Sequence, residues 1–180
     1  MDSWAQFTPV VVATAVLIPS AFQDIRSRRI PNLLSLGGFV VGCVANGVMT
    51  GWAGAGTAFA AGFLVLALMF PFFVVGWMGA GDVKLIGAVG AICGSISLAL
   101  IALIAIVSIG ALMSLVVLAW RKGLKDYLQR LFVAFSLTLM ARRLHYLSSA
   151  ESASSGELPY AVAIASGAIA VLLASAFGLV

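Results

Sequence analysis

Hydrophobic residues fill this chain in long blocks, broken by short polar or glycine-rich stretches. The first block covers residues 4–22. Asp2 is the one charge before it, and Arg26, Arg28 and Arg29 follow it. A secretory signal has its basic residues first and a small-residue cleavage site last. The pattern therefore predicts a retained first span, with Pro9 and Pro19 as kinks that a packed bundle tolerates. Ile30-Pro31-Asn32 predicts a helix start: Pro31 stops the preceding helix and Asn32 can cap the next block, 33–49. A glycine-rich turn at 50–56 leads into a third block, 57–75. Gly76 to Gly81 breaks the chain again, and residues 83–120 then stay apolar for too long to be one span. Gly94-Ser95 divides them into a short fourth span, about 83–97, and a fifth, about 98–120. Block 131–140 is too short to cross and is basic at both ends, which predicts an interfacial helix. Residues 148–156 (SSAESASSG) read as a loop, and 158–180 form the sixth span.

Charge fixes an orientation for this arrangement. Basic residues collect on the cytoplasmic side of membrane proteins. With the N-terminus outside, loops 23–32, 76–84 and 121–158 are cytoplasmic. All ten basic residues lie in them, six in the last (Arg121, Lys122, Lys125, Arg130, Arg142 and Arg143). A seventh crossing at 131–140 would move Arg142 and Arg143 outside.

Composition removes most other classes. The chain has 180 residues, 63% of them hydrophobic and 9% charged, with a mean hydropathy of +1.17. A soluble domain carries about 25% charged residues. The expectation is an all-α, polytopic integral membrane protein: six transmembrane helices and one interfacial helix in a single domain, 1–180. The net charge of +4 is read as topology, with no nucleic acid as partner. Cys43 and Cys93 sit in apolar blocks without a CxxC pair, and His145 has no ligand set near it, so no metal and no cofactor are expected.

Six acidic residues remain as candidates for chemistry. Asp2 is terminal, Asp126 lies among basic residues, and Glu151 and Glu157 fall in the serine-rich loop. Asp24 closes the first span and Asp82 opens the fourth, both at the cytoplasmic face. Carboxylates at a membrane edge are costly unless hydrated or paired, and they mark function. Two that share one site also share a proton, because like charge raises one pKa. The ionised one then takes a proton from water while the other polarises a carbonyl. The sequence does not say which is which.

Both acids stand in recognisable motifs. Asp24-Ile25-Arg26-Ser27-Arg28-Arg29-Ile30-Pro31-Asn32 resembles the first signature of type IV prepilin peptidases, and Gly79-Ala80-Gly81-Asp82-Val83-Lys84-Leu85 resembles the second, GxGD followed by x-Lys-Leu. Leu158-Pro159-Tyr160-Ala161 resembles the start of the family's last span. The small size is similar to the short CpaA/TadV-like branch serving tight-adherence (Flp) pili. The resemblance implies an aspartic endopeptidase of the bacterial inner membrane with Asp24 and Asp82 as its catalytic pair. Its substrate would be a single-span prepilin or pseudopilin precursor, cut at the cytoplasmic face of the bilayer. Longer relatives add a Cys-rich insertion linked to N-methylation, and nothing here matches it, so cleavage without methyl transfer is expected.

Lesser candidates have two readings each. Gly79 and Gly81 remove Cβ atoms, permit positive φ and let substrate backbone approach, or they merely form a turn. No nucleotide-binding loop is matched. Lys84 tunes the pair or meets an acidic substrate group, or it snorkels to headgroups. Asn32 orients Asp24 or, as its type favours, caps a helix. The pairs Gly38/Gly42, Gly47/Gly51 and Gly90/Gly94 suit helix packing. The alternatives for the whole chain are a preflagellin peptidase, a proton-coupled transporter or a non-catalytic pilus-assembly subunit. Oligomeric state is left open.

Overall fold

The computed structural model describes residues 5–120 and 160–180. The chain divides into two compact units, residues 1–110 with 159–180 and residues 111–158. The first carries both aspartates of interest. The expected interfacial helix at 131–140, the loop around it and His145 lie outside the described residues.

Five α-helices and a 3-10 turn, Ala5–Phe7, make up the described residues, which contain no strand. The helices are α1 (Thr8–Ser27), α2 (Asn32–Val74), α3 (Ala80–Cys93), α4 (Ile96–Trp120) and α5 (Tyr160–Ala176). Three are long and apolar enough to cross a membrane: α1, α2 and α4 over Ile96–Val117. The count of six spans expected from the sequence is therefore not supported by helix length and composition. The 14 residues of α3 rise only about 21 Å and the 17 of α5 about 26 Å, against a hydrocarbon core of about 30 Å.

Two expected blocks, 33–49 and 57–75, fall within the single 43-residue α2. Its backbone leaves helical geometry at Gly51 (φ 74°, ψ −164°), a conformation open to glycine and strained for other residues. Phe39 and Phe59 meet edge to face with ring centroids 5.8 Å apart, whereas twenty residues of straight helix would span about 30 Å. The two arms of α2 thus fold back on each other at Gly51.

The core is built around α3. Every residue from Val83 to Cys93 except Lys84 is buried, the signature of a helix surrounded on all sides. Small residues let its neighbours approach. A Cβ on Gly42 would lie 2.7 Å from the Ile92 nitrogen, and one on Gly90 would lie 2.9 Å from the Gly62 Cα. Gly51 and Gly94, by contrast, serve as turns at positive φ. Gly94 ends α3 in the left-handed region. Asn46 of α2 secures that end, its Nδ2 donating to the carbonyls of Ala91 (3.1 Å) and Ile92 (3.4 Å). These are among the last carbonyls of α3, which no longer have partners within the helix.

Helices α1 and α5 run antiparallel. Phe7 beside the start of α1 meets Phe177 beyond the end of α5, with centroids 6.0 Å apart. At the other end, Asp24 of α1 meets the first turn of α5. The buried face of α1 is Ala13, Leu17, Ser20 and Asp24, spaced at 4, 3 and 4 residues along one stripe. The helical period thus carries Asp24 onto the inward face.

Candidate active site

Asp24 is buried, at 8% exposure, in the last turn and a half of α1. Its carboxyl Oδ2 accepts a hydrogen bond from the backbone N–H of Ala161, at 3.1 Å. Its own carbonyl accepts from the N–H of Arg28, at 2.8 Å, which closes the helix with Arg28 in the left-handed region. Arg26 in the last turn suits the negative end of the helix dipole.

Asp82 is positioned by the start of α3. Gly79 is the N-cap, in extended conformation, so Asp82 is the third helical residue. Its carboxylate reaches back to the backbone N–H of Gly79, the reciprocal half of a capping box. This close return is why residue 79 is glycine: a Cβ there would lie 3.0 Å from Asp82 Oδ2. At Gly81 a Cβ would lie 3.2 Å from the Ile30 Cβ, so the second motif closes against the first. Neither Gly79 nor Gly81 has positive φ. The expected use of backbone freedom is corrected: close approach is what these two glycines supply, and the turn before them uses positive φ at Gly76.

The two carboxylates feel one another. Asp82 precedes the apolar part of α3, and its pKa rises from 3.8 to about 6. Burial is the larger cause and the charge of Asp24 the second, while the Gly79 N–H pulls the other way. A carboxylic acid poised near neutral beside a second carboxylate is the arrangement that proton sharing requires.

Asn32 and Lys84 meet each other. Lys84 Nζ donates to Asn32 Oδ1 at 3.0 Å. The expected cap at Asn32 is corrected: Pro31 occupies the N-cap position with no side-chain cap. Its carbonyl instead accepts from the N–H groups of Leu34 and Ser35, at 3.0 and 3.3 Å. Asn32 is freed to tie the first motif to the second. Among the described residues no group of three or more His, Cys, Asp and Glu is placed to hold a metal ion.

Sequence reasoning missed the role of the Tyr160–Ala161 turn at the site. The group that binds Asp24 is a backbone N–H, which no residue type announces. The available signal was a helix start whose preceding residue, Pro159, has no side chain to cap it.

Two buried or half-buried aspartates, one on α1 and one at the tip of a central helix, mark a helical protein with membrane-length apolar helices and a paired-aspartate site. The type IV leader peptidase family model matches residues 11–115 and so includes both aspartates; the chain belongs to that family and is a peptidase. Neither the curated proteins nor the solved structures gave a match.

Proposed function

We propose that this protein is a prepilin peptidase, an aspartic endopeptidase that removes the leader of single-span prepilin or pseudopilin precursors at the cytoplasmic face of the bacterial inner membrane. Asp24 and Asp82 are its catalytic pair. The observation that carries this reading is that the two motif aspartates lie within electrostatic reach of each other, burial and the Asp24 charge raising Asp82 to about 6. In the reaction, the ionised carboxylate takes a proton from water as the oxygen bonds to the scissile carbonyl carbon. The protonated carboxyl polarises the carbonyl oxygen. Collapse of the tetrahedral intermediate breaks the C–N bond, and the proton passes to the leaving amine.

The fold-back of α2 at Gly51 supports a six-pass arrangement, with each arm crossing once and α3 and α5 crossing as short, buried helices. The N-terminus is outside, and Asp24 and Asp82 then share the side carrying the basic residues. The lack of a Cys-rich insertion among these residues favours the tight-adherence branch, cutting without methyl transfer. Lipid surrounds the bundle, and no nucleotide or cofactor takes part.

The test is cleavage of a prepilin with a basic leader by purified protein in liposomes. Asp24→Asn and Asp82→Asn are expected to insert normally and to lose cleavage by at least about 1,000-fold, on the scale of removing an essential catalytic group. Wild-type cleavage by either variant refutes the assignment.

A further inference from the structure

The residue before α5 in the sequence is Pro159, whose side chain carries no hydrogen-bond acceptor. In the first described turn of α5, Asp24 Oδ2 accepts from the Ala161 N–H, the kind of bond that side chains at helix starts supply. The bond comes from another helix, α1. Ala161 is fully buried, so water does not compete for that N–H.

The same turn is seated from the other side. A Cβ on Gly110 of α4 would lie 2.5 Å from the Tyr160 ring (Cε2) and 2.7 Å from its hydroxyl. Glycine at 110 therefore lets the Tyr160 ring lie directly on α4. Farther along the same pair of helices, a Cβ on Gly167 would lie 2.9 Å from the Ile106 Cα. Helices α4 and α5 are consequently in close contact from the site into the core, and the first turn of α5 has little room to move.

We propose that this turn is a working part of the aspartate site: the Ala161 N–H fixes the Asp24 carboxyl in place, and the seat of Tyr160 on Gly110 fixes the turn. Ala161 and Gly110 are positioning residues for peptide cleavage. With Oδ2 engaged, Asp24 cannot rotate away from Asp82 without breaking a buried hydrogen bond, which is costly to leave unmade. Misplacement of a catalytic group by about 1 Å costs about 100-fold in rate. The inference rests on the peptidase reading given above.

Two substitutions at one position separate the N–H from the side chain. Ala161→Pro deletes the N–H at a first-turn position where proline is tolerated. Ala161→Gly weakens the helix yet keeps the N–H. For the full chain in liposomes with a basic-leader precursor, Ala161→Pro is expected to lower kcat about 10- to 100-fold with KM changed less than about 3-fold. Ala161→Gly is expected to recover most of that loss. An unchanged kcat in Ala161→Pro, or equal losses in both variants, overturns the proposal.

If Ala161→Pro does not fold, Gly110→Ala carries the test through the ring it displaces. Its kcat loss is expected to vanish when Tyr160→Leu is present in both members of the comparison, the non-additivity of residues in contact. Additive losses overturn the proposal. Loss of cleavage in Asp24→Asn and Asp82→Asn, with full activity in Ala161→Pro, would sink this inference alone. Cleavage by the Asn variants would sink the peptidase assignment itself.

Discussion

Replacing Asp82 with Asn is expected to make the folded protein more stable at neutral pH while abolishing cleavage. In the folded chain Asp82 titrates at about 6 against an ordinary 3.8. Between those values the folded state binds the extra proton. Stability associated with protonated Asp82 is therefore complete below about 4 and is lost as pH rises through about 6. Above that the ionised carboxylate carries the full cost of its burial and of the Asp24 charge. A shift of about two units is worth about 3 kcal/mol, reduced to about 1–3 kcal/mol because water reaches part of the group. Asn has no charge to desolvate, and its side-chain oxygen still accepts from the Gly79 N–H. Thermal unfolding in detergent should give Asp82→Asn a higher Tm at about pH 7.5, with the gap closing near pH 4. A lower Tm at pH 7.5, or a gap that ignores pH, would refute this account of why Asp82 titrates so high.

The same shift predicts the pH–rate profile. On the proposed mechanism cleavage needs one proton on the pair, so kcat should fall as pH rises through about 6, measured across about pH 5 to 8; a rate that climbs steadily over this range contradicts it. In the core, Gly42→Ala would place a Cβ 2.7 Å from the Ile92 nitrogen and 2.8 Å from the Ala91 carbonyl carbon. Both are backbone atoms that cannot swing aside. An overpacking cost of about 1–3 kcal/mol should appear as a lower Tm in the same detergent assay, and an unchanged Tm would mean that α2 and α3 are less tightly apposed.

Hydrophobic blocks and basic breaks announced a helical membrane protein, because burial in lipid dictates both. The two catalytic candidates were legible because charge is scarce: with six acids in 180 residues, those ending or starting a block stand out. Even the break at Gly94 could be read, since glycine there needs no side chain to tell its conformation.

What the sequence could not decide depended on which surfaces meet. Blocks 33–49 and 57–75 read as separate segments and are the two arms that reverse at Gly51, but hydropathy did not show that a single glycine leaving helical geometry makes the reversal. Asn32 reads as a cap by its type, but Pro31 provides the accepting carbonyl, and Asn32 takes up Lys84 from 52 residues away. Gly79 and Gly81 read as places of close approach or positive φ; the close approach is there, to Asp82 Oδ2 and to Ile30, and the positive φ is not. The Ala161 N–H at Asp24 joins positions 137 residues apart. A backbone donor is common to every residue but proline, so only tertiary packing could select this one.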